Sequence, residues 1–214
     1  MARESLIIVA ESVQKRFTDR SVFNPVSFEA SPSEIIAITG ANGAGKSTLL
    51  KIIANVLSPT KGSCTWREGG AKLDHDGVRV KLGFVAPYLE LYDELTAVEH
   101  VRFVADIKGI SIGDGTAVDL LDGFGLDSSI AQSDRHLRAY SSGMKQRVRC
   151  AMAFACSPSV LLLDEPTSNL DEAGTAIVLE QAQAAALAGA IVFIATNDAR
   201  ERAITHREIL IEPY

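Results

Sequence analysis

The sequence predicts an α/β fold built on a parallel sheet, and three observations carry that prediction. Apolar runs at Glu34–Thr39, Val160–Leu163 and Ile191–Ile194 read as strands buried on both faces. Segments with apolar residues at helical spacing separate them, above all the Ala-rich stretch Glu172–Leu187. Strands that alternate with helices in this way imply a parallel sheet, since each crossover helix returns the chain to the same end. At 214 residues there is room for one such domain with a full core and a small inserted lobe, and not for two.

Taken in order, Leu6–Val13 reads as a first strand and Ser21–Ala30 as a second. Gly62–Trp66 and Lys81–Val85 read as short strands around a polar turn containing Asp74, Asp76 and Gly77. This opening is expected to form an antiparallel β-subdomain wrapped around Glu34–Thr39. After that strand, Leu49, Ile52, Ile53, Val56 and Leu57 recur at helical spacing until Pro59 stops the helix. Thr96–Ile107 and Val118–Phe124 take a helical period on either side of the Gly-rich segment Gly109–Gly115, so this stretch reads as a helical insertion.

A formal net charge of -6 and a sequence pI near 5.3 argue against a nucleic-acid partner, which calls for a basic face. Cys64, Cys150 and Cys156 show neither metal-ligand nor disulfide spacing, and His75, His100, His136 and His206 read as solvated or structural. The longest apolar run, Ala184–Ala195, is interrupted by Gly189 and falls short of the roughly 20 residues that span a bilayer. No signal-peptide pattern opens the chain, so a soluble, cytoplasmic protein is expected, with any membrane role coming through a partner.

Between the strand Glu34–Thr39 and the helix that follows lies Gly40-Ala41-Asn42-Gly43-Ala44-Gly45-Lys46-Ser47-Thr48. Its glycines let backbone N–H groups turn inward around phosphates, Lys46 supplies a cation for the β/γ-phosphates, and Ser47 supplies a hydroxyl ligand for Mg2+. The helix start adds the positive end of its dipole. Such a loop grips a nucleoside triphosphate. The strand Val160–Leu163 ends in Asp164-Glu165; at the ligand edge of a parallel sheet, Asp164 can reach the Mg2+ shell while Glu165 orients a water towards the γ-phosphate. In Tyr140-Ser141-Ser142-Gly143-Met144-Lys145-Gln146-Arg147 a small-residue turn opens a helix whose Met144, Val148, Ala151, Met152 and Ala155 form an apolar stripe. That helix start offers a second anion site, although a single one of this kind is ordinarily only a cap. Lys145, Arg147 and Arg149 lie opposite the stripe and read as a solvated face, the alternative for Arg147 being a brace on the dimer or on the carboxylates.

Together these residues resemble the ATP-binding-cassette ATPases, in the right order over nearly the whole chain. Gly40–Thr48 resembles the Walker A loop, Tyr140–Met144 a variant signature motif, Asp164-Glu165 the end of Walker B, and Ser168-Asn169-Leu170-Asp171 the D-loop. Phe17 falls where an aromatic stacks on adenine, the alternative being a buried core ring. The resemblance implies a P-loop NTPase core at 1–86 and 146–214 and a helical subdomain at 87–145. It departs from the family at two places. Asn197 in Ala195-Thr196-Asn197-Asp198 takes the place of a histidine, and an amide can hydrogen-bond a phosphate oxygen but cannot take up a proton. Pro87 replaces the glutamine at the junction of core and helical lobe, removing one contact to the metal or water shell. The retained Lys46, Ser47, Asp164 and Glu165 imply a working ATPase with altered tuning.

The resemblance further implies a head-to-tail homo- or heterodimer, with ATP and Mg2+ between the loop of one chain and Ser141, Ser142 and Gly143 of the other. The chain would drive a separately encoded permease from the inner face of the membrane. Tyr88, Leu89, Leu91 and Tyr92 would lie at the groove that takes the permease's cytoplasmic helix, and Leu91–Thr96 is similar to exporter-type subunits of the multidrug and haem-exporter kinds. A soluble nucleotide-switched regulatory protein is the alternative. A kinase or GTPase reading leaves Tyr140–Gln146 unexplained.

Overall fold

The computed structural model describes residues 5–18, 20–131 and 134–214. Strand β1 (Leu6–Gln14) alternates buried and exposed positions, the signature of a sheet with one wet face. It is followed by a small hairpin, β2 (Arg16–Phe17) and β3 (Arg20–Ser21), and by β4 (Val26–Ala30). The single strand expected over Ser21–Ala30 is therefore two short ones. Between them Phe23 turns into the core and bridges only to Pro213, and Pro25 has no N–H for a ladder.

Strand β5 (Ile35–Thr39) is buried at every position and feeds helix α1 (Lys46–Ile53) through the glycine-rich loop. The helix stops well before Pro59 because Asn55 adopts a left-handed φ of 58°; Val56, expected on its apolar stripe, is 70% exposed. Burial of Leu49, Leu50 and Ile53 is worth about 1.5–3 kcal/mol apiece. Strand β6 (Lys61–Glu68) runs antiparallel to β1 and pairs with β7 (Ala71–Lys72). The buried Trp66 donates its indole N–H to Ile53 O at 2.8 Å and ties this sheet to the end of α1.

The polar turn expected around Asp74–Gly77 is a helix, α2 (His75–Lys81). Asp74 caps it by accepting from Gly77 N at 2.8 Å, Asp76 lies in the first turn, and Arg79 and Lys81 lie in the last. Strand β8 (Leu82–Val85), expected within the opening β-unit, instead joins the parallel sheet beside the later strand Val160–Asp164.

The helical insertion holds α3 (Ala97–Ile107), α4 (Asp114–Gly123) and α5 (Ser128–Ala131), and α6 (Ser142–Phe154) follows a single 3-10 turn. Thr96 and Glu99 form a reciprocal capping box at the start of α3. Helix α6 packs directly on β8, where a Cβ on Gly83 would lie 2.1 Å from Ala153 O, so no other residue fits. The chain closes with β9 (Val160–Asp164), α7 (Glu172–Leu187), β10 (Ile191–Ala195), α8 (Ala199–Ala203) and β11 (Arg207–Leu210).

The central sheet has the order β11-β5-β10-β9-β8, all parallel. Alternating side chains divide its interior in two. Ile35, Val85, Leu161, Leu163, Val192 and Ile194 face the helical elements, while Ile36, Ile38, Leu162 and Phe193 face α1 and the antiparallel sheet β4-β1-β6-β7. Neighbouring β5, β10 and β9 thus end side by side at one edge, where ligands of open α/β sheets bind.

Candidate nucleotide site

Helix α1 begins at Gly45, whose φ of 104° is left-handed, and no side chain caps the start. A Cβ on Gly45 would lie 2.6 Å from Val22 Cγ1 and 2.7 Å from Phe23 Cδ1, so only glycine lets the loop close over this helix. Uncapped N–H groups at a helix start form an anion site. The Lys46 stem is buried, and its ammonium donates to Gly40 O at 2.9 Å and Ala41 O at 3.3 Å, across the loop itself.

Asp164 ends β9 at 2% exposure. Burial, reinforced by the neighbouring Glu165, pushes its carboxyl above the usual range against a hydrogen bond from Ser47 and the charges of Lys51 and Lys46. Its Oδ2 is buried with no hydrogen-bond partner. An orphaned carboxylate oxygen beside a hydroxyl, with the anion-binding loop adjacent, suits Mg2+, a hard cation held by one or two protein oxygens plus substrate phosphates. Among the described residues no group of three or more His, Cys, Asp or Glu gathers as a metal cage.

Glu165 is exposed and holds a left-handed φ of 47°, an uncommon conformation for a side-chain-bearing residue. Its N–H donates to Ala195 O at 3.0 Å, which fixes the turn after β9 to the end of β10. One step along, Thr196 N donates to Ile38 O at 3.0 Å, and the Asn197 amide donates to Asn42 Oδ1 at 3.1 Å. The structure therefore gathers the loop, Asp164-Glu165 and Asn197 at one edge, although Asn42 and Asn197 stand 155 residues apart in sequence.

Ser141 caps α6 by accepting from Met144 N at 3.2 Å. Its turn packs on the D-loop-like segment, where a Cβ on Gly143 would lie 2.9 Å from Asn169 O. No hydrogen bond among the described residues joins Ser141, Ser142 or Gly143 to 40–48. Phe17 is 50% exposed with the Lys15 ammonium 5.2 Å from its ring, so it is not a core ring.

The cations of α6 do not form the solvated face expected of them. Arg147 donates to Phe124 O and to Asp171 Oδ1, both at 2.8 Å, and thereby joins α4, α6 and the cap of α7. Lys145 pairs with Asp93 at 2.7 Å, and Arg149 donates to Leu89 O at 2.8 Å. Buried Gln146 anchors the same helix to Pro166 O at 2.8 Å. Tyr88, read from sequence as part of the apolar patch, places its ring 3.9 Å from the Lys51 ammonium; burial, with the charge of Asp164 adding to it, raises its phenol above the usual range. Sequence reasoning passed over Glu201, whose side chain is buried beside the turn at Thr167. Its only signal was a carboxylate one helical turn past Asn197.

Comparison with known proteins agrees with this geometry. The family model described as ABC transporter matches residues 23–168. The lantibiotic transport ATP-binding protein SrtF of Streptococcus pyogenes is 33% identical over 164 residues, 77% of this chain and 68% of that protein. The ABC-type transporter ATP-binding protein EcsA of Bacillus subtilis is 32% identical over 183 residues, 85% of this chain and 73% of that protein. Among solved structures, a dimeric post-hydrolysis state of the ATP-binding cassette MJ0796 bound to ADP and Pi superposes with a TM-score of 0.85 at 27% identity, covering 96% of this chain and 94% of that one. With its loop, its paired carboxylates and its capped signature helix in these positions, the chain belongs to the ABC transporter family, among its ATP-binding subunits.

Proposed function

We propose that this chain binds ATP with Mg2+ and hydrolyses it as one half of a head-to-tail dimer, driving a separately encoded membrane permease of an export system. The convergence of Lys46, Asp164, Glu165 and Asn197 on one sheet edge, with Asp164 Oδ2 unpartnered beside Ser47, carries this reading. In it, Lys46 and the N–H groups of the loop 40–48 hold the phosphates, and Phe17 offers its open face to the adenine. Mg2+, held by Ser47 and Asp164, would neutralise charge building on the β- and γ-phosphates. Glu165 orients and deprotonates the attacking water, and Asn197 hydrogen-bonds the γ-phosphate in place of a protonatable group.

Ser141, Ser142 and Gly143 lie on the D-loop segment and not on their own phosphate loop, which supports their acting on the nucleotide of a second copy. A cavity of about 240 Å3 between α3, α6 and the chain after Pro87 is lined by Leu89, Leu91, Tyr92, Phe103 and Met152 and is the candidate seat for a permease helix. No helix among the described residues is long and apolar enough to cross a membrane, so attachment to the inner face would come through that helix.

The test is ATP hydrolysis by the purified chain, with and without Mg2+, over a range of protein concentrations, with Glu165→Gln as control. The expected result is a rate that rises faster than linearly with protein, needs Mg2+ and falls by about 100-fold or more in the control, roughly 2.7 kcal/mol of barrier. Tight binding without turnover at any concentration would favour the nucleotide-switched reading, to which the Asn197–Asn42 bond lends itself.

A further inference from the structure

Glu201 sits on α8 at 2% exposure and is absent from every role given above. Its Oε1 accepts from Thr167 N at 3.2 Å and from Thr167 Oγ1 at 2.5 Å. The Thr196 side chain lies beside the carboxylate and favours its charged form. Thr196 Oγ1 accepts from Asp198 N at 2.8 Å, which ties the Asn197 turn to the start of α8. Thr167 is two residues past Glu165, and Thr196 immediately precedes Asn197. The buried carboxylate on the helix that follows Asn197 therefore receives two donors from the turn that carries Glu165.

The arrangement demands the ionised form. Two donors converge on Oε1, and a proton placed on Oε2 would meet no acceptor, since that oxygen is buried without a partner. Burial nevertheless pushes the carboxyl above the usual range, so the bonds do not fully offset desolvation. An apolar side chain would fill this site at lower cost. A charge kept there despite that cost is explained by what it holds in place.

We propose that Glu201 is a positioning residue of the ATPase site, its carboxylate clamping the Glu165 turn to the Asn197 turn so that water and γ-phosphate are addressed from a fixed separation. The proposal rests on the ATPase reading for its kinetic consequence but not for its structural one. Glu201 acts through Thr167 and through α8, and its carboxylate does not itself bond the phosphate loop, so ATP affinity is expected to hold.

The experiment compares wild type with Glu201→Ala, Glu201→Gln and the milder Thr167→Val, which removes the shorter bond of the clamp if the alanine variant fails to fold. Hydrogen exchange of segments 164–170, 195–199 and 40–48 is read by mass spectrometry, together with kcat and nucleotide Kd per folded molecule. Expected in Glu201→Ala is faster exchange in the first two segments together with none in the third, kcat down about 10- to 100-fold, and Kd within about 2-fold. Glu201→Gln keeps the Oε1 acceptor but sets an amide NH2 where Oε2 has no partner, and is expected to recover only part of both effects. Asn197→Ala is expected to cost less in the Glu201→Ala background than alone, since the clamp acts through that residue. Exchange that rises in one turn only, or kcat and Kd that change in parallel, would overturn the clamp. If wild type proves inactive, the ATPase reading falls by itself and the exchange of the two turns still decides the clamp.

Discussion

Asn197 occupies a switch position with a side chain that donates and accepts hydrogen bonds but neither gains nor loses a proton near neutrality. Its present partner is Asn42 Oδ1 on the phosphate loop, so the two amides hold loop and switch together through a neutral contact. A histidine there could become cationic as charge builds on the γ-phosphate. Asn197→His is expected to raise kcat by about 3- to 10-fold, roughly 0.7–1.4 kcal/mol of barrier, with little change in nucleotide affinity. Steady-state hydrolysis at saturating ATP checks this, and an unaltered rate would mean that another step limits turnover. Lys46, Asp164 and Glu165 were legible in the sequence because each needs only a residue type at a fixed distance from a strand end. Glu201 and Arg147 were not, because what they do depends on partners 34 and 24 residues away.

At the scale of elements, the segment after β8 is pinned by one buried imidazole. His100 Nε2 accepts from Tyr92 N at 2.9 Å, and Nδ1 lies 2.8 Å from Thr96 O, so the ring is neutral with its hydrogen on Nδ1. Burial lowers its pKa, while the Thr96 carbonyl and the charges of Glu99 and Asp93 pull the other way. A folded-state value below the ordinary one near 6.5 makes this contribution complete above about pH 6.5 and lost as pH falls towards the lowered value, where the unfolded chain binds the extra proton first. Thermal melts from pH 7.5 to pH 5 are expected to show wild type losing stability more steeply than His100→Gln, whose amide does not titrate. Equal slopes would dismiss the imidazole as the source.

Prediction from sequence succeeded for elements with long apolar signals, as in β9, β10 and α7. It failed at α2, which buries only Val78 and therefore shows no stripe, and whose Asp74 and Gly77 serve a helix cap as readily as a turn. It overran at α1 because an asparagine in a left-handed conformation ends a helix as surely as a proline does, with a weaker mark in the sequence.

For the molecule as a whole, class and active edge were readable because motif order fixes them, whereas the placement of β8 was not. A short strand carries no record of which sheet it will join until the close approach at Gly83 is seen. The strand order also sets a timetable for synthesis. Strand β10 lies between β5 and β9, yet it is made after both, and β11, the other neighbour of β5, is made later still. Until Ile191 has left the ribosome, β5 has no partner strand and β9 has only β8, leaving three apolar edges unpaired. A chain ending at Ala190 is expected to pellet on centrifugation under conditions that keep the full sequence in the supernatant, and an equally soluble truncation would contradict this. The last part of the message thus closes the sheet, and a chain stopped early is a sticky fragment that carries the phosphate loop and Asp164-Glu165 but lacks Asn197.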